Sequence, residues 1–180
     1  IWWYVMDKVY YKTLQPLIDS GHIQAAINGT YKFPSGVSLF PGTSCMFKCS
    51  FCGRNYEAKD PNYNYFYDTL LDQDPKDNPY RYNISGGLEP LTYNEIDRLC
   101  KDLHVRGFKS RLITNGFLLT QRNIERKPNL LTLDHIRISL YGYNKEQTYL
   151  TTKHPKAFDI VKNNLTEYNK MKGQPPLHIN

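Results

Sequence analysis

Five short apolar stretches, the first three closed by glycine, proline or asparagine turns and all separated by longer segments, limit what this chain can become. Val37–Phe40 stops at Pro41-Gly42. Arg81–Ser85 runs into Gly86-Gly87-Leu88-Glu89-Pro90, and Lys109–Thr114 ends at Asn115-Gly116. Asp134–Tyr141 alternates cleanly, with Ile136, Ile138 and Leu140 on one face and His135, Arg137, Ser139 and Tyr141 on the other. Pro176–Asn180 reads as the start of a fifth strand. Strands alternating with helices imply βαβ units, a parallel sheet and right-handed crossovers. In such folds ligands collect at the C-terminal ends of the strands.

The intervening helices carry their own signals. Thr92 and Glu95 read as a capping box, followed by Ile96, Leu99, Cys100 and Leu103 on one face and Gly107 as a terminator. Thr120 reads as the cap of a short helix reaching Arg126. Pro155 opens a helix with Phe158, Val161, Leu165 and Tyr168 on one side, ended by Gly173. Upstream, residues 2–19 have helical spacing interrupted at Pro16, and His22–Ile27 reads as a second short helix ended by Asn28-Gly29. The expected organisation is an N-terminal helical segment over 1–35 and a main domain over 36–180. Residues 54–83, rich in Tyr, Asn and Asp, read as an irregular insertion with a weak helix at Tyr63–Leu71.

The chemistry concentrates in Cys45-Met46-Phe47-Lys48-Cys49-Ser50-Phe51-Cys52. Glycine and small polar residues flank it, so it is a loop, and it follows the first strand directly. Such a loop can wrap three thiolates around one small object. Thiolates take soft metals and iron–sulfur clusters; a cube usually takes four, so three leave one iron open. An open metal position points to chemistry. Disulfides fit poorly, because three cysteines share one loop and Cys100 sits at an apolar helical position as a small core residue. Structural zinc from three cysteines and a histidine is the stronger rival, yet no histidine lies within twenty residues of the motif on either side.

Composition bounds the remainder. The chain has 180 residues, 40% of them hydrophobic, enough for one core. No apolar run approaches a membrane span, and Ile1–Met6 is too short for a signal sequence. Free thiols and no secretion signal imply a reducing cytoplasm and no membrane partner. The first residue is Ile, so the true N-terminus is expected upstream. The formal charge of +6 is compatible with an anionic substrate or nucleic acid, but basic and acidic residues interleave as on an ordinary solvated surface.

Three motifs on three successive strands resemble those of the radical S-adenosylmethionine (radical SAM) superfamily. Cys45, Cys49, Phe51 and Cys52 match its C-x3-C-x-aromatic-C signature. Gly86-Gly87-Leu88-Glu89-Pro90 matches its GGEP motif with one insertion, and Arg137–Gly142 resembles its ribose motif. The resemblance covers residues 36–180. It implies an α/β fold, a partial (βα)6 TIM-like barrel, incomplete here because the fifth strand only begins. The adenine-binding motif expected on that strand is absent, which implies either that the sequence is a fragment or that another segment completes the barrel.

The resemblance further implies a 4Fe–4S cluster on Cys45, Cys49 and Cys52, with S-adenosyl-L-methionine (AdoMet) on the fourth iron. Reductive cleavage of AdoMet would give a 5′-deoxyadenosyl radical that abstracts hydrogen from a substrate. The backbone at Gly86 and Gly87 would approach the methionine moiety, the alternative being an ordinary strand-ending turn. Glu89 would accept from the ammonium, or be a solvated acid at a helix start. Ser139 would bind ribose or carboxylate. Arg137 would pair the AdoMet carboxylate, or form a salt bridge inside the barrel. Phe51 would pack near adenine, and Asn115 is a weaker candidate because Asn-Gly is a common turn. The implied partners are a small-molecule substrate, with a small polar or nucleotide-linked metabolite favoured over RNA or peptide, and an external electron donor such as flavodoxin or ferredoxin. Arg54 and Asn55 stand near the expected mouth. The competing reading is a non-catalytic zinc or iron–sulfur module that grips nucleic acid; it requires a fourth protein ligand and a basic stripe, and the sequence offers neither.

Overall fold

The computed structural model describes residues 18–19, 21–30, 36–53 and 81–180. The helical reading of 2–17, the insertion up to residue 80 with its weak helix, and Arg54 and Asn55 lie outside the described residues. Strands β1 (Gly36–Leu39), β2 (Arg81–Ile84), β3 (Ser110–Thr114), β4 (His135–Ile138) and β5 (Leu177–Ile179) form one sheet in sequence order. Every pairing is parallel. The helices are α1 (His22–Ile27), α2 (Ile96–Val105), α3 (Gln121–Arg126), α4 (Lys145–Thr152) and α5 (Ala157–Tyr168). Short 3-10 turns occupy Pro90–Thr92 and Pro128–Thr132. No described helix is long and apolar enough to cross a membrane.

Side-chain alternation gives the sheet two unlike faces. Tyr82, Ile84, Leu112, Ile136 and Ile138 point to the helices and are fully buried, joined by Val37, Leu39 and Leu177. From α2, Ile96, Leu99, Cys100 and Leu103 meet them with no exposure. Cys100 is therefore a core residue, its thiol pushed up to about 12 by burial. Helix α2 closes with Phe108 N–H on the Leu103 carbonyl and Gly107 N–H on the His104 carbonyl, with Gly107 at φ 80°. This is a Schellman motif with its apolar Phe108 buried.

Two local expectations need correction, and one helix was not foreseen. The capping box is absent: α2 starts after Glu95, which makes no side-chain cap, and Thr92 ends a 3-10 turn. Leu140 is 40% exposed rather than buried under helices, because β4 stops at Ile138. Helix α4 escapes the periodicity argument because its buried residues are Thr148 and Thr152, while Tyr149 and Leu150 face outward. Its one legible signal is Asn144, whose side chain accepts the Gln147 N–H as a cap.

Candidate active site

The cysteine loop is fastened on two sides. Towards β2, the Ser85 N–H bonds the Leu39 carbonyl, Gly42 bonds Gly86, Leu88 bonds Gly42, and Glu89 bonds Ser44. The ladder of β1 and β2 thus continues past the strands into both loops. Two glycines permit it. A Cβ on Gly42 would stand 2.5 Å from the Leu88 carbonyl carbon, and one on Gly87 would stand 2.7 Å from the carbonyl oxygens of Phe40 and Gly42. Gly86 and Gly87 also hold φ of 61° and 67°. The sequence reading gave Gly87 to a ligand; its missing side chain first serves the approach of the two loops. Thr92 completes this clamp, its hydroxyl donating to Glu89 O at 2.6 Å and accepting from Ser44 N at 3.2 Å.

On the other side, the Lys48 and Ser50 N–H groups bond the carbonyls of Thr152 and Thr151 at 2.9 and 3.1 Å. These are among the last carbonyls of α4, which lack helical partners. Lys153 ends α4 at φ 58°. Phe47, 2% exposed, anchors the loop against Phe117, Tyr141 and His154 at ring distances of 5.5, 6.1 and 5.8 Å. Sequence reasoning missed Phe47, Thr92 and α4 as supports; the aromatic inside the cysteine motif was the one available sign.

Cys45, Cys49 and Cys52 line one cavity of about 250 Å³, together with Phe51, Gly86, Gly87, Glu89, Asn115 and Ser139. Four strand ends therefore converge as the motif order implied. Burial pushes the Cys45 thiol up, and burial together with the neighbouring Cys45 and Cys52 pushes Cys49 up to about 11. Such crowding favours thiolates only beside a cationic centre. Donors already face the sulfur of Cys45: the Phe47 N–H at 3.4 Å and the Asn115 Nδ2 at 3.7 Å. Asn115 also turns the chain, its Oδ1 accepting the Phe117 N–H.

Glu89 is not a solvated acid. It is 2% exposed, and its carboxylate accepts from Thr114 Oγ1 at 2.6 Å, Asn115 N at 3.0 Å and Leu91 N at 3.1 Å. Burial raises its pKa, and these hydrogen bonds oppose the rise. Glu89 thereby ties the β2 loop to the end of β3. Ser139 hydrogen-bonds the Tyr141 hydroxyl, whose pKa burial and the Cys49 thiolate raise to about 12. Phe51 is 66% exposed and leans on Tyr141 at 5.6 Å. Arg137 does not line the cavity. It is the Cα partner of Ile113, which does, and of His178. Among the described residues it forms no salt bridge.

Among the described residues no three Cys, His, Asp or Glu side chains gather as the ligands of a single metal ion would. The thiolates of a cube each bind a different iron and stand farther apart than those around one ion. A family model described as the radical SAM superfamily matches residues 39–174. The chain belongs to that superfamily. It is 38% identical over 177 residues to the dTDP-4-amino-4,6-dideoxy-D-glucose ammonia-lyase of Streptomyces venezuelae, covering 95% of this chain and 36% of that protein. Among solved structures it resembles Streptococcus suis SuiB bound to precursor peptide SuiA, with a TM-score of 0.68 and 22% identity over 94% of this chain and 37% of that one. It also resembles TYW1 with a lysine-pyruvate adduct bound, with a TM-score of 0.60 and 19% identity over 81% and 54%. At those identities the two structures carry the fold alone. The chain spans about a third of the length of the curated relative it matches. Radical SAM proteins use a 4Fe–4S cluster and AdoMet, and the donor set here fits both: three thiols without a fourth, beside a cavity edged by glycine backbone and a buried carboxylate.

Proposed function

We propose that this chain is the cofactor-binding part of a radical SAM enzyme acting on a small nucleotide-linked metabolite, an amino sugar carried on a nucleoside diphosphate. The observation that carries the class is the convergence of Cys45, Cys49, Cys52, Gly86, Gly87 and Ser139 on one cavity. The substrate class rests on the 38% identity to the ammonia-lyase across nearly all of this chain. The peptide-bound neighbour at 22% identity supports the fold and no peptide substrate.

Cys45, Cys49 and Cys52 would hold the cluster. The Phe47 N–H and the Asn115 amide would stabilise negative charge on the Cys45 sulfur, a standard lever on cluster potential. The Gly86-Gly87 backbone and the Glu89 carboxylate would receive the methionine end of AdoMet, Ser139 its ribose or carboxylate, and Phe51 its adenine. When bound, cluster and AdoMet supply a 5′-deoxyadenosyl radical that removes a hydrogen atom from substrate. The chain's own task is orientation and exclusion of water, with an external one-electron donor reaching the loop from outside.

Anaerobic reconstitution of the whole protein tests this. Iron, sulfide and a brown colour are expected. With dithionite and AdoMet, chromatography should reveal 5′-deoxyadenosine, formed faster with a nucleoside-diphosphate amino sugar. A colourless zinc protein that binds nucleic acid would establish the rival reading. A cluster-loaded protein that makes no 5′-deoxyadenosine with any reductant would end the radical mechanism.

A further inference from the structure

The face of the sheet opposite the helices carries a run of cationic and polar side chains below the cofactor cavity. Alternation assigns Ser38, Asn83, Arg111, His135, Arg137 and His178 to this face, since their strand neighbours fill the helix-side core. Arg111 is the Cα partner of both Asn83 and His135, and its Nε donates to the Asn83 side chain. His135 stacks on His178 at 4.8 Å and 26°, and His178 is the partner of Arg137. Arg111, His135, His178 and Arg137 thus form one connected patch across β3, β4 and β5. No Asp or Glu occupies this face on the described strands.

Arg137 is the telling member. Its Nε is buried without a hydrogen-bond partner. A guanidinium Nε–H withdrawn from water and left without an acceptor is costly, and such groups are retained where an anion completes them. The planar fork of arginine suits the oxygens of a phosphate in particular.

We propose that this patch is the subsite for the phosphate-bearing part of the substrate, with Arg137 and Arg111 as its principal donors. The inference rests on the reading of the cavity above as the radical site. Ser139 lines that cavity, and a strand rises about 3.3 Å per residue. Arg137 therefore lies about 7 Å below the rim along β4, and His135 about 13 Å. A hexose joined to a diphosphate spans this interval, with a ring carbon at the cavity and the phosphate oxygens at the arginines.

The test is calorimetric titration of inorganic pyrophosphate into the whole, cluster-loaded protein with AdoMet present. Saturable binding that weakens with added salt is expected. Arg137→Gln should weaken it about tenfold or more, the loss of one charge-assisted pair. Arg111→Gln should do the same; because Arg111 also holds Asn83, Arg111→Lys serves as its folding control. AdoMet affinity should stay within about twofold in all three. Pyrophosphate that fails to bind the wild type, or binds the variants equally, overturns the proposal. So does an Arg137→Gln protein that loses AdoMet and keeps pyrophosphate, because the arginine then serves the AdoMet carboxylate. Failure of the radical reading looks different: pyrophosphate binds, but no 5′-deoxyadenosine forms.

Discussion

The two faces of the five-stranded sheet share a backbone and differ in almost everything else. Towards the helices, Ile84, Leu112, Ile136 and Ile138 are fully excluded from water. On the opposite face, one residue along each strand, stand Asn83, Arg111, Ile113 and Arg137. The first set gains free energy by leaving water and thereby drives folding. In the second set the polar Asn83, Arg111 and Arg137 gain nothing by burial without a partner, and the Nε of Arg137 still lacks one. A sheet can thus devote alternate residues to stability and to recognition. The rim joins the two, because its loops must be rigid and must also present thiols and backbone to a ligand.

The largest expected effect breaks the rim. Cys45→Ala, Cys49→Ala or Cys52→Ala should each lose most of the iron on anaerobic reconstitution, since two thiolates hold a cube poorly. Cys100→Ala should keep it. Iron that falls equally in all four variants would refute the division between loop and core cysteines.

Next comes the face contrast itself. Ile136→Ala should cost roughly 2–5 kcal/mol in denaturant unfolding, the range for truncating a fully buried aliphatic residue. Its neighbour Arg137→Gln should not destabilise the fold, because it removes a buried donor that has no acceptor. Comparable losses at both positions would mean that both faces serve as core.

The glycine clamp should come third. Gly42→Ala drives a methyl group to 2.5 Å from the Leu88 backbone, and overpacking of this kind costs roughly 1–3 kcal/mol. Gly87→Val collides with the Phe40 and Gly42 carbonyls, so it should impair iron retention as well as AdoMet cleavage. Full iron with cleavage alone lost would return Gly87 to a purely ligand-facing role.

Among the core and rim truncations the smallest effect is expected at Cys100→Ala, roughly 0.5–2 kcal/mol by thermal or denaturant unfolding, with iron and 5′-deoxyadenosine formation unchanged. A larger loss would show that the thiol does more than fill space between α2 and the sheet.

Local patterns determined a good deal by themselves. Short apolar runs and turn residues located the strands, and period-two alternation fixed the faces of β4, because a residue's neighbours two away share its face whatever the rest of the chain does. The spacing of Cys45, Cys49 and Cys52, and the order of the motifs along successive strands, were enough to bring them to one rim, because parallel strands joined by right-handed crossovers put all their ends on one side. Tertiary structure alone decided what each loop residue touches. Thr92 lies three residues before Glu95 and looks like a cap, yet long-range contacts with Ser44 turn it into a clamp. Glu89 looks like a solvated acid, yet the end of β3 closes over it. Helix α4 has no apolar stripe, so its place under the cysteine loop follows from carbonyls that no side-chain pattern reports. Glycine at position 87 is visible in the chain, but only the folded molecule reveals that the space it leaves open is first filled by another loop's backbone.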